Sequence, residues 1–410
     1  MSEFDCKSIC ILGRQPALGL AELERLYGAE HVKPLASGPA AVLDVEAAEI
    51  NFKRLGGTIK VARLLAVIDS VRWSDLATYL TKNIPAHLKN LPEGKFTLGL
   101  SVYDIEVGVE QLNRDLLGLK KIIRQGGRSA RIVPNKSLEL NSAQVLHNKL
   151  TSRGAWELLL IKDGQKTLLA QTIFVQDIEA YAARDQARPA RDARVGMLPP
   201  KLAQIMVNLA VGDLEQKLPD GGDKALNLIR LRVLDPFCGT GVILQEALLM
   251  GYSVMGTDAE PRMIEYSKTN LKWLVEKNPA IQGMAVLEIG DATSTAWPGF
   301  STVASELYLG RPLTSLPTPD KLREIVNDVN TITRKFLNNL AKQMKPGRVA
   351  CLAVPAWAKP DGTFLQLPVL DKLTEMSYNR LDLKHVRHNQ LIYYRPGQVV
   401  ARQLIILEKK

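Results

Sequence analysis

The stretch Leu234 to Gly241, Leu-Asp-Pro-Phe-Cys-Gly-Thr-Gly, constrains this chain more than any other. It follows an apolar run, Leu228 to Val233, that suits a strand. It precedes Val242 to Met250, which suits a helix. A glycine turn between a parallel strand and a helix leaves bare backbone at the strand's carboxyl end, where a ligand can approach. The turn lacks Gly-x-Gly-x-x-Gly, so it is a poor dinucleotide turn. It also lacks the Gly-Lys-Ser/Thr ending of a phosphate loop.

From Leu228 onward the pattern alternates. Strands are expected at Leu231–Asp235, Ser253–Thr257, Met284–Ile289, Thr302–Glu306 and Arg348–Val354, with helices centred near residues 246, 268 and 332. Gln390–Tyr394 and Val399–Leu407 form a final hairpin turned at Arg395-Pro396-Gly397-Gln398. Residues 228–410 therefore read as an α/β domain with a Rossmann-like, doubly wound, mainly parallel sheet and an antiparallel final hairpin.

The chain before it is α+β. Residues 1–50 carry strand patterns at Ser8–Leu12 and Ala40–Val45 around a helical Leu18–Tyr27. Residues 51–180 alternate strands (Lys60–Ile68, Lys95–Tyr103, Ser129–Val133, Trp156–Lys162, Lys166–Thr172) with helices at Trp73–Leu88 and Gln111–Gly126, and Asp163-Gly164 is a hairpin turn. A linker, 181–227, has four arginines within the eleven residues Arg184 to Arg194. Its helix opens at Pro200, with proline tolerated in the first turn.

At 410 residues the chain is long enough for two or three domains. No apolar stretch approaches a membrane span, and Met1 to Asp5 carries no secretion signal, so a cytoplasmic protein is expected. Four cysteines make no disulfide framework, and Cys6 and Cys10 lack a second ligand pair, so no metal is expected. The net charge is +10. It concentrates between Leu112 and Ser137, where Arg114, Lys120, Lys121, Arg124, Arg128, Arg131 and Lys136 stand against the single acid Asp115. Such a run is either a solvated face or a phosphate-contacting surface, and its arginines and Gly126-Gly127 favour the second reading.

The glycine turn resembles the S-adenosylmethionine loop of Rossmann-type methyltransferases that modify exocyclic amino groups of bases. In such a sheet a ligand lies across the carboxyl ends of the strands, and three acids fall there. Asp235 ends the first strand. Asp258 ends the second, where it can accept from both ribose hydroxyls. Asp291 ends the third, within reach of an adenine amine. Alone, each is more often a turn or N-cap aspartate; together, behind Gly239 and Gly241, they describe a cofactor site. Phe237 and Cys238 either contact the cofactor or pack the turn. Met197 and Pro199 either close over its methionine end or pack the linker helix.

A wider resemblance rests on Arg188-Pro189, Gly196 to Ala203, Asn208-Leu209-Ala210, Leu234 to Gly241 with Glu246-Ala247, Gly256-Thr257-Asp258, Met263-Ile264 and Asn270-Leu271. These residues are similar to the tRNA guanine-10 N2-methyltransferase family of archaea and eukaryotes. Arg54 to Ala62 and the segment to Gln176 resemble that family's ferredoxin-like and THUMP modules, the latter a tRNA-binding domain. The resemblance implies an S-adenosylmethionine cofactor, a tRNA partner and methylation of guanine N2 at position 10, with a small activator protein as a further candidate partner. The charge pattern agrees with that partner: Lys120, Lys121, Arg124, Arg128 and Arg131 of the basic run, with Arg188 and Arg191 of the linker, are the expected RNA contacts.

The family's catalytic pattern is Asp/Asn-Pro-Pro-Tyr/Phe. The matching stretch here is Val303-Ala304-Ser305-Glu306-Leu307-Tyr308, which has no Pro-Pro. Two alignments are open. Either Glu306 stands for the acid, or Ser305 takes its place with Tyr308 as the stacking aromatic. The departure keeps two rivals alongside the tRNA reading: a methyltransferase acting on base amines of rRNA or DNA, and a non-catalytic RNA-binding protein on the same scaffold.

Overall fold

The computed structural model describes residues 6–36, 38–89, 93–192, 197–215, 228–313 and 315–410. Arg194 and Gly196, singled out above, lie outside the described residues, as do 216–227 of the linker and the first five residues. The chain forms two compact units. One comprises Met1–Pro16, Glu30–Lys53 and Thr58–Ala180; the other comprises Ala17–Ala29, Arg54–Gly57 and Tyr181–Lys410.

In chain order the first part holds β1 (Ser8–Leu12), α1 (Pro16–Tyr27), β2 (Val32–Pro34), β3 (Ala40–Leu43), β4 (Thr58–Ile68), α2 (Trp73–Leu88) and β5 (Phe96–Tyr103). It continues with α3 (Val109–Gln125), β6 (Ala130–Ile132), α4 (Ser142–His147), β7 (Ala155–Asp163), β8 (Lys166–Val175) and α5 (Ile178–Gln186). The eight strands make one sheet in the order β2-β3-β1-β4-β8-β7-β5-β6. Leu76, Leu80, Ile84 and Leu88 of α2 recur every four residues and bury one helix face. Leu112, Leu116, Leu119 and Ile123 do the same for α3, against Phe96, Leu98 and Leu160 of the sheet. The hairpin expected at Asp163-Gly164 is present: Asp163 pairs with Lys166, and Gly164 takes φ +61°.

Two expectations need correction here. Residues 1–50 are not a separate layer, because β1 lies between β3 and β4 and pairs antiparallel with both. The helix read at Leu18–Tyr27 belongs to the second unit. There its buried Glu22 accepts from the amides of Gly56 and Gly57, each at 2.9 Å, and from Asn208 Nδ2 at 2.7 Å. A buried carboxylate needs several donors at once, and these come from segments distant in sequence.

The second unit continues with α6 (Pro200–Val211), β9 (Arg232–Asp235), α7 (Val242–Leu249), β10 (Ser253–Asp258), α8 (Pro261–Lys277), β11 (Ala285–Ile289), β12 (Thr302–Glu306) and α9 (Pro319–Ala341). It ends with β13 (Val349–Ala358), β14 (Phe364–Leu365), β15 (Tyr378–Arg380), β16 (Ile392–Tyr393) and β17 (Val400–Lys409). The sheet order is β11-β10-β9-β12-β13-β17-β15, parallel from β11 to β13 and antiparallel beyond. This is the expected doubly wound α/β sheet with an antiparallel edge and final hairpin. The order reverses between β9 and β12, and at such a reversal the connecting segments diverge and leave a crevice at the strands' carboxyl ends. Phe336, Leu337 and Leu340 of α9 pack beneath it with Trp297, Trp357 and Tyr378. Among the described residues, no helix is long and apolar enough to cross a membrane.

Candidate active site

The glycine turn is fixed from several sides. Cys238 N donates to Thr257 O at 2.9 Å, Ser267 Oγ to Gly239 O at 2.8 Å, and Asn270 Nδ2 to Thr240 O at 2.9 Å. Gly241 has φ +82°, and a Cβ there would lie 2.9 Å from Ser267 Oγ, so conformation and space both require glycine. Gly239, at φ +50°, differs. No described atom lies within 4 Å of where its Cβ would be, so the backbone faces open space. A ligand can approach there.

Asp258 is half-buried beside that opening. Its Oδ2 accepts from Gly239 N and its Oδ1 from Glu260 N, each at 2.9 Å. Burial raises its pKa against those two amides. Asp291 is exposed at the end of β11. Its carboxylate caps Thr293 N at 2.8 Å, and the preceding Gly290 N is held by Asp258 O at 3.0 Å. Asp235 is 2% exposed and accepts from Ser305 Oγ at 2.6 Å and from Phe237 N at 3.3 Å. Burial pushes its carboxyl up to about 8, with the charges of Asp258 and Glu306 adding and the two hydrogen bonds opposing.

The other cofactor candidates divide. Phe237 packs edge-on against Phe336, with centroids 5.2 Å apart, and Cys238 is buried beneath the turn. Met197 Sδ accepts from Arg188 Nη2 at 3.4 Å, and Pro199 is the N-cap of α6. Sequence reasoning missed Ser267 and noted Asn270 only as part of the family resemblance; their polar side chains on the buried face of α8 were the available signal.

At the fourth strand end Ser305 is buried on Asp235, Glu306 is partly exposed, and Tyr308 is 40% exposed. Glu306 accepts from Arg402 Nε. Burial raises the Glu306 pKa, and Arg402 opposes the rise. Arg402 was also missed. Its signal was a lone cation inside the apolar run of β17, which the structure buries to 7% exposure.

Arg188 requires a correction. Expected at an RNA surface, it is 3% exposed, and its guanidinium reaches Thr240 Oγ1 at 3.3 Å as well as Met197. It braces the glycine turn from within. Arg191 is exposed. In the first unit Lys121, Arg124 and Arg131 are exposed while Lys120 and Arg128 are half-buried. Arg128 is held by Leu88 O at 2.6 Å and Arg131 by Asn148 Oδ1 at 2.9 Å. The single acid of that run, Asp115, is engaged by Trp73 Nε1 at 2.7 Å.

No family model matches the chain. Over 90 residues it is 44% identical to a tRNA (guanine(10)-N2)-dimethyltransferase of Methanothermobacter thermautotrophicus, covering 22% of each chain. Over 124 residues it is 36% identical to the protein of the same name from Pyrococcus abyssi, covering 29% of this chain and 30% of that one. The similarity to these tRNA methyltransferases is confined to that stretch. The matches span under a third of these relatives' own length. The crystal structure of TrmN from Thermus thermophilus aligns with 98% of this chain and 99% of its own at 16% identity, with a TM-score of 0.52, so the two chains share a fold.

Proposed function

We propose that this protein is an S-adenosylmethionine-dependent methyltransferase acting on the N2 amine of a guanine in tRNA, at position 10. What supports the reading is that Gly239 with Asp258, and Asp235 with Ser305, stand at the carboxyl ends of neighbouring strands on the two sides of the switch point, with Glu306 next in the chain. The local identity to named tRNA (guanine(10)-N2)-dimethyltransferases supports the choice of substrate.

The residues present fit the cofactor: open backbone at Gly239, an acceptor for ribose hydroxyls at Asp258, and an acceptor for the adenine amine at Asp291. When bound, S-adenosylmethionine supplies an electrophilic sulfonium methyl. A guanine amine is a weak nucleophile because its lone pair is delocalised into the ring, so its alignment limits the reaction. Glu306 accepts a hydrogen bond from that amine and orients its lone pair. Arg402 fixes the carboxylate, and Tyr308 stacks the extruded base. Ser305, turned onto Asp235, positions the strand end. Transfer of the methyl would break its bond to sulfur, leaving that electron pair on a neutral thioether, and the proton released from the newly methylated amine would pass through Glu306 to solvent. The first unit, read as THUMP-like, supplies phosphate contacts through the exposed Lys121, Arg124 and Arg131 of its basic run, with Lys120 beside them.

One observation favours a second reading, RNA binding without methyl transfer: Glu306 is already engaged by Arg402. The two separate when the purified chain is incubated with radiolabelled S-adenosylmethionine and unmodified tRNA, rRNA fragments or DNA, and label is mapped by nucleoside mass spectrometry. N2-methylguanine in tRNA is the expected product. Cofactor binding without incorporation establishes the second reading, and activity only after a small protein is added establishes the need for an activator.

A further inference from the structure

Past the fourth strand end, β13 extends from Ala353, the register partner of Glu306, to Ala358. This extension pairs with β14 at Trp357 and Ala358, and with β17 from Val400 onward. The platform carries aromatic rings and cations that the proposed methyl transfer does not use. Phe364 meets Tyr394 edge-to-face at 5.3 Å. Arg395 lies 5.7 Å from the Tyr393 ring centroid and donates from Nε to the Tyr393 hydroxyl at 3.0 Å. Tyr393 is also the cross-strand partner of Arg402, which holds Glu306, so the strip is continuous with the methyl-transfer end. The three rings are half-buried, while Arg395 and Lys359 are exposed. The one acid of the β13–β14 turn, Asp361, is turned onto Thr363, accepting from its amide at 2.9 Å.

Partly exposed rings beside exposed cations match the chemistry of a single-stranded polynucleotide, whose bases stack on aromatic faces and whose phosphates meet the charges. We propose that Phe364, Tyr393, Tyr394 and Arg395 form a contact strip for unpaired RNA nucleotides adjoining the target guanine. This rests on the RNA reading above and adds a second contact surface, carried by the methyltransferase unit itself.

The test measures fluorescence anisotropy of the full chain with unmodified tRNA and with a labelled unstructured RNA of about ten nucleotides, within the usual site sizes. Arg395→Gln changes an exposed side chain and leaves the core intact; Tyr393→Leu removes the ring while keeping bulk. Each is expected to weaken the short RNA about five- to ten-fold, the scale of one lost stack. Arg395→Gln should also lower the salt-dependence slope by about 0.7. Where Tyr393→Leu does not fold, Arg395→Gln alone decides. Tyr393→Leu and Arg395→Gln proteins binding as tightly as the natural chain, or a natural chain that binds tRNA but not the short RNA, overturn the strip and leave the methyltransferase reading intact. A natural chain that binds neither RNA overturns both.

Discussion

Asp258 has both carboxylate oxygens occupied by backbone amides, which fix its direction beside the open face of Gly239. Asp258→Ala is expected to weaken S-adenosylmethionine binding at least about ten-fold, the size of lost hydrogen bonds to a charged acceptor; isothermal calorimetry checks this. Asp235 links stability to pH in the opposite sense to a carboxylate whose pKa is lowered by an ion pair. Its pKa is about 8 in the fold against 3.8 in the open chain, so the folded state holds the proton more tightly. Its stabilising contribution is complete below about pH 4 and is lost as pH rises through 8. Melting temperatures taken from pH 5 to 9 should fall less steeply for Asp235→Asn than for the natural chain, because the amide does not titrate. Arg402 holds down the raised pKa of Glu306. In Arg402→Met the acid limb of the methyl-transfer profile is therefore expected to move to higher pH, a shift that loss of packing alone would not cause. These roles were unequally legible. The aspartates stand at strand ends and could be read locally, whereas Arg402 and Glu306 are 96 residues apart in sequence and meet only across β13.

At the scale of elements, α3 presents two faces with different tasks. Leu112, Leu116, Leu119 and Ile123 hold it to the sheet, and Lys121 and Arg124 stand outward. Reversing both charges, Lys121→Glu with Arg124→Glu, should leave the melting temperature within about 2–4 °C. It should weaken tRNA binding at least ten-fold and flatten its salt dependence by roughly 0.7–0.9 per lost phosphate contact, as filter binding over a salt series would show. The spacing of these residues made the helix readable. The short β2, α4 and β15 were not, since three to six residues carry too little periodicity to stand out. The arginine-rich linker misled for a different reason. Arg188 was expected among the phosphate contacts but lies under the turn, and its neighbour Arg184 pairs with the fully buried Glu246 at 3.1 Å.

For the whole molecule, the second unit is discontinuous in sequence. Glu22 of α1 and the Arg54–Gly57 segment close a buried network around Asn208, with Arg54 Nη2 also donating to Tyr252 at 2.9 Å. A chain beginning at Tyr181 would keep the entire β9–β17 sheet yet lose α1 and leave Asn208 without its partners. Unmet buried polar groups cost about 1–3 kcal/mol each. Such a truncation is expected to be insoluble, or to melt at least about 10 °C below the full chain by differential scanning fluorimetry. An equally stable fragment would show that the network contributes little.

The sequence by itself determined what depends on neighbours in the chain: the glycine turn, the strand-helix alternation behind a doubly wound sheet, the amphipathic α2 and α3, and the acids at successive strand ends. Each is a local pattern, because turns need particular residues at fixed offsets and helices need their own periodicity. Only the tertiary structure decided that α1 belongs with the second unit, that Arg188 is a brace, that Arg402 holds Glu306, and that Tyr393 stands across from Arg402. Those facts rest on burial and on pairs brought together by strand order, and burial of a polar side chain is set by partners distant in sequence.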